Sequence, residues 1–209
     1  MVGLKICGVT RPEDLAACVA LGVDAVGVNL WHGSRRGLAL VEADALLRSC
    51  DTAGLERIGV FVDPGADEVR RAHAILKLDL VQIVGDEWIG PLPDLAWVWV
   101  IRGTPELATL AIPASLPRRI LLDAAVPGWG GAGQVTDWSW ARAAVQHLSA
   151  IAPVWLAGGI TPDNAADALA AVRPAGLDVA SGSEPPGAQR GAKDPDRIAA
   201  LVAACRAFV

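Results

Sequence analysis

The sequence predicts a single (β/α)8 barrel of the TIM type spanning residues 1–209, an α/β fold, and three observations predict it. Short apolar runs alternate with helical stretches along the whole chain, with no break in composition. Some runs are apolar on both faces, as in Trp97-Val98-Trp99-Val100, which suits a strand with packed side chains on one side and helices on the other. Near the C-terminus two consecutive units end in glycine turns, Gly158-Gly159 and Ser181-Gly182. Backbone N–H groups from two such turns converge where barrels of this class hold phosphate, after strands seven and eight. The alternative is an open doubly wound sheet, whose G-x-G-x-x-G fingerprint is missing from Cys7-Gly8-Val9-Thr10.

Leu4–Cys7 reads as the first strand, followed by a helix through Leu21 with Thr10 as N-cap and Glu13 completing a capping box. Asp24–Leu30 is the second strand, with a helix from about Val41 to Cys50. Arg57–Val62 and Asp67–Leu76 form the third unit. Leu80–Val84 is the fourth strand; Pro91 and Pro93 leave room for only a turn of helix after it. Ala96–Ile101 is the fifth, with a short helix at Pro105–Leu110, and Arg118–Leu122 the sixth, with a helix over Asp137–Leu148. Val154–Ala157 then leads through Gly158-Gly159 into Ala165–Val172, with Thr161 as N-cap and Pro162 as the first helical residue. Leu177–Ala180 and Asp194–Phe208 complete eight alternations.

Composition narrows the function. Although 53% of residues are hydrophobic and mean hydropathy is +0.39, no run approaches the roughly 18 to 20 apolar residues of a membrane span. The start, Met1-Val2-Gly3-Leu4-Lys5, runs straight into a strand without an apolar leader, so a cytoplasmic protein is expected. The four cysteines, at 7, 18, 50 and 205, lack metal-ligand spacing and read as free thiols. A net charge of −5 without a basic stripe argues against nucleic acid.

Chemistry in a barrel sits at the carboxyl ends of the strands. Cys7 ends strand one, where a thiol serves as base or nucleophile if its pKa is lowered toward neutrality; otherwise it is a small buried hydrophobe. Asp123 ends strand six, available as a general acid if burial raises its pKa; otherwise it caps a loop. Together they make an acid and base on opposite sides of a substrate, and proton transfer at two points suits isomerisation. Arg35 and Arg36 are placed to clamp a carboxylate. His32 is a ligand-contact candidate, His73 and His147 fall in helices, and Trp31 and Trp129 are placed to cover an aromatic ligand.

These residues give the chain its resemblance to the phosphoribosylanthranilate isomerase family of tryptophan biosynthesis. It rests on Lys5-Ile6-Cys7-Gly8, Gly59-Val60-Phe61-Val62, Val81-Gln82, Leu121-Leu122-Asp123 with Gly130-Gly131-Ala132-Gly133, Leu156 to Asn164, and Asp178 to Glu184 with Gly191-Ala192-Lys193-Asp194. The resemblance implies a cofactor-free, metal-free Amadori rearrangement of a small phosphorylated substrate by a monomer or homodimer. It implies Asp123 as general acid on the ribose ring oxygen and Cys7 as general base at ribose C2. It implies Arg36 on the anthranilate carboxylate, and phosphate in turns containing Gly158, Gly159, Ser181 and Gly182, helped by Gly131 and Gly133. The chain departs from the family pattern at Val84, where a histidine is usual, at Ala132 and Gln134 in the loop after strand six, and at Val28, Leu30, Arg35 and Gly37 around the second strand. Two alternatives stand beside this expectation: a related barrel isomerase for another phosphorylated aminosugar, and an inactive barrel that binds a phosphorylated ligand.

Overall fold

A parallel strand buried on both faces needs neighbours on each edge, and closure into a barrel gives every strand two. The computed structural model describes residues 1–85, 94–125, 135–187 and 191–208. Its strands are β1 (Gly3–Cys7), β2 (Ala25–Asn29), β3 (Glu56–Val62), β4 (Leu80–Val84), β5 (Trp97–Arg102), β6 (Arg119–Asp123), β7 (Val154–Leu156) and β8 (Gly176–Val179). They pair in sequence order, all parallel, and the barrel closes where Gly3 to Ile6 of β1 run beside Gly176 to Val179 of β8. The helices are α1 (Pro12–Ala20), α2 (Leu40–Leu47), α3 (Ala66–Leu76), α4 (Trp138–Leu148), α5 (Ala165–Val172) and α6 (Pro195–Ala207). None of the described helices is long and apolar enough to cross a membrane.

Several local expectations need correction. Arg11, not Thr10, is the N-cap of α1, with Pro12 opening the helix. Instead of a capping box, the Arg11 Nε donates to Asp14 at 2.9 Å, tying side chains across the first turn. Thr161 does not cap α5 and Pro162 does not begin it. Residues 161–164 form a turn in which Asn164 Oδ1 accepts from the Thr161 N–H (2.8 Å), and Asn164 becomes the cap residue. The expected helix at Pro105–Leu110 shrinks to a single 3-10 turn, Leu107–Thr109; the Trp140 Nε1 of α4 donates to the Pro105 carbonyl at 3.0 Å. The segment at 86–93 after β4 lies outside the described residues; among those described, an α-helix follows β1, β2, β3, β6, β7 and β8. Two other helix starts are capped by side chains: Asp137 accepts from Ser139 and Trp140 N–H at the start of α4, and Asp194 from Asp196 and Arg197 N–H at the start of α6.

Strand alternation divides the core in two. Outward residues such as Leu4, Ile6, Val26, Trp97, Leu122 and Val179 pack under the helices. Inward residues, among them Ile58, Leu80, Val98, Leu121 and Trp155, fill the barrel. At its floor the Arg119 guanidinium lies 3.9 Å from the centre of the Trp155 ring and pairs with Glu56 at 2.7 Å. Gly3 and Gly176 make room for that ring; a Cβ at position 3 would stand 2.6 Å from it.

Candidate active site

The middle layer of the barrel is polar and nearly closed to water. Lys5, 1% exposed, sends its Nζ to Asp178 Oδ2 (2.6 Å) and Gln82 Oε1 (2.8 Å) across the interior. Asp178 Oδ1 is buried without a hydrogen-bond partner among the described residues. Inward-facing Gly27 lets this layer meet the mouth: a Cβ there would stand 3.0 Å from both Lys5 Cε and Cys7 Sγ.

Above it, Cys7 ends β1 and Asp123 ends β6. Between them in the barrel wall stand β7 and β8, which carry the two glycine turns. Asp123 Oδ1 accepts from the Ala124 N–H at 2.9 Å. Burial, and then the charge of Asp178, push its pKa up to about 6, against Ala124, Arg102 and Lys5. For Cys7, burial pushes the thiol above its ordinary value, although Lys5, Lys193 and Arg36 all pull it down.

The glycine turns are built against one another and against the end of the β6–α4 connection. Gly158 and Gly159 have φ of +83° and +65°, and side chains there would run into Thr136 and the backbone of Val135. The Thr136 hydroxyl donates to the Ala157 carbonyl (2.9 Å), and Asn164 Nδ2 to the Gly159 carbonyl (2.9 Å). After β8, Ser181–Ser183 form one 3-10 turn, and any Cβ at Gly182 would collide with the Ile160 carbonyl. Arg197 Nε fixes the Gly182 carbonyl from behind at 2.8 Å. The amides of Gly159, Ile160 and Gly182 find no acceptor among the described residues. Such an array suits an anion. Gly131, Ala132, Gly133, Gln134 and Trp129 lie outside the described residues.

Arg36 is 6% exposed. Its Nε and Nη2 are taken by Glu184 at 2.6 and 3.1 Å, so only the Nη1 edge remains for a ligand. Arg35 pairs with the same carboxylate and does not form a second jaw of a clamp. Burial works upward on Glu184, yet Arg36 and Lys193 hold its pKa below the ordinary value. The Trp31 ring lies over Gly33 of its own loop. His32 lines a separate cavity of about 450 Å³ with Leu30, Leu38, Leu40, Phe61 and Arg71, beside α3. Among the described residues, no group of three or more His, Cys, Asp or Glu could hold a metal ion.

Lys5, Gln82, Asp178, Glu184 and Lys193 enter the site without a role read from the sequence. A lysine alternating inward on the apolar strand Leu4-Lys5-Ile6 was the available signal, because an inward charge in a barrel requires a counter-charge.

The family model of "N-(5'phosphoribosyl)anthranilate (PRA) isomerase" matches residues 4–204. The N-(5'-phosphoribosyl)anthranilate isomerase of Chromohalobacter salexigens is 42% identical over 205 residues, covering 95% of this chain and 92% of that protein. The solved phosphoribosyl anthranilate isomerase of Thermus thermophilus superposes with a TM-score of 0.80 at 31% identity, covering 100% of both chains. Another solved relative, in complex with reduced 1-(o-carboxyphenylamino)-1-deoxyribulose 5-phosphate, gives a TM-score of 0.77 at 27% identity and covers 99% of each.

Proposed function

The chain belongs to the N-(5'-phosphoribosyl)anthranilate isomerase family, and from that premise we propose how its residues divide the reaction. The activity is the isomerisation of N-(5'-phosphoribosyl)anthranilate to 1-(2-carboxyphenylamino)-1-deoxyribulose 5-phosphate, a step of tryptophan biosynthesis.

Asp123 donates its proton to the ribose ring oxygen. The C1–oxygen bond breaks, and the nitrogen lone pair forms a Schiff base. Cys7 thiolate then takes the proton from C2; those electrons make the C1–C2 double bond and neutralise the nitrogen, giving an enolamine. Transfer of the enol hydroxyl proton to C1 yields the ketone. The Nη1 edge of Arg36 meets the anthranilate carboxylate. Amides of the Gly158-Gly159 and Ser181-Gly182 turns hold the phosphate, with Gly131 and Gly133 added from the loop after β6.

The observation that supports this assignment best is the order in the barrel wall: Cys7, the two glycine turns, then Asp123. A phosphate between base and acid places the ribose between them too. The test is the fluorescence decay of freshly made substrate. Cys7→Ala and Asp123→Asn should each slow the enzyme by about 10²- to 10⁴-fold, the usual worth of a positioned proton transfer. Near wild-type decay with either variant contradicts the assignment.

A further inference from the structure

We propose that Glu184 is a positioning residue that aims Arg36 at the carboxylate of the aglycone; this rests on the reading of Arg36 given above. The Arg36 stem lies in a slot between two loops. A Cβ at Gly191 would stand 2.8 Å from its Cγ, and one at Gly8 would collide with its Cδ; both glycines have positive φ. Ser34 Oγ accepts from the Arg36 N–H at 3.1 Å. Glu184 then takes both nitrogens on one edge, which fixes the plane of the guanidinium and the direction of its free edge.

Glu184 is itself anchored. Lys193 Nζ donates to Glu184 Oε1 (3.2 Å), the Cys7 carbonyl (2.7 Å) and the Ala180 carbonyl (2.9 Å). Those bonds use all three ammonium donors, so Lys193 serves the frame and not the ligand. The Lys193 N–H in turn donates to Asp14 Oδ2 (3.0 Å). Through this chain of contacts the carboxylate-binding arginine is registered to the strand end that carries Cys7 and to the turn after β8. Arg35, Arg36 and Lys193 share one carboxylate.

Positioning and simple counter-charge make opposite predictions. Removing a carboxylate beside an anion site tightens binding if only Coulomb attraction matters; it loosens binding if the carboxylate aims the arginine. The experiment compares two inhibitors, the reduced carboxyphenylamino-deoxyribitol 5-phosphate and its phenylamino counterpart without the carboxylate. Glu184→Gln should weaken the first about tenfold, a change of about 1.4 kcal/mol, and leave the second within about twofold. Glu184→Asp, which keeps the charge but draws it back by one methylene, should also weaken the first selectively, and it covers the case in which the Gln variant fails to fold. In an Arg36→Ala background neither change should add a further loss. Equal weakening of both inhibitors, tighter binding of the first, or full additivity with Arg36→Ala overturns the proposal. If Arg36→Ala itself treats the inhibitors alike, the carboxylate reading of Arg36 falls as well; if Arg36→Ala discriminates and Glu184→Gln does not, only the positioning role falls.

Discussion

With Asp123 as the proposed acid and Cys7 as the proposed base, each reacts in the less populated of its two forms. Asp123 titrates at about 6 and Cys7 above the 9.0 of an ordinary thiol, yet the acid must be protonated while the base is a thiolate. At neutral pH that combination is a minor species. Its population rises with pH up to the Asp123 value, stays flat, and falls above the Cys7 value. The expected profile of kcat/KM for the free enzyme therefore has its acidic limb near 6 and its basic limb above 9. Asp178 is the negative charge that lifts Asp123, so Asp178→Asn should move the acidic limb to lower pH. Arg102 and Lys5, the cations facing Asp123, and the Ala124 N–H pull the same way. An acidic limb that stays in place or moves up contradicts the assignment of this limb to Asp123.

The turns after β7 and β8 work as one element, because Gly182 has no room for a Cβ against the Ile160 carbonyl. Gly182→Ala should pry the turns apart, destabilising the protein by about 1–3 kcal/mol, the usual range for overpacking. It should also weaken binding of ribose 5-phosphate measured by calorimetry. Unchanged affinity in a folded variant would move the phosphate elsewhere. These turns were legible in the sequence because two of them follow apolar runs in consecutive units near the C-terminus. Strand positions were legible for a similar reason, since both faces are apolar and the period is two. Cap positions were harder: Thr10 and Thr161 are ordinary cap residues by type, but Pro12 and the Asn164 side chain set the helix starts. The Arg36 partnership was hidden because Glu184 is 148 residues away in sequence. The double clamp expected of Arg35 and Arg36 follows from composition, whereas the observed hub follows from which loop ends meet.

The barrel separates stability from chemistry along its axis. Its floor is filled by Trp155, Arg119 and Glu56, its middle is a closed ion pair, and its mouth carries groups the fold would be steadier without. Asp123 shows this through pH. Its carboxyl titrates at about 6 in the fold against 3.8 when free, so above pH 6 the folded state holds a charge that burial disfavours. That penalty is up to about 3 kcal/mol at pH 8 and vanishes below the free value, where the carboxyl is neutral folded and unfolded. Asp123→Asn should therefore be the more stable protein in urea at pH 8, with the difference gone near pH 3. Equal stability at both pH values would argue against the raised pKa.

The central claim is the division of labour across the mouth, with Asp123 opening the ring and Cys7 removing the C2 proton. The most direct measurement is the rate with substrate deuterated at ribose C2. Cys7→Ser, which slows proton abstraction, should show a large primary isotope effect. Asp123→Asn, held up earlier at ring opening, should show an effect near unity. The reverse pattern, a large effect with Asp123→Asn and none with Cys7→Ser, would contradict the account.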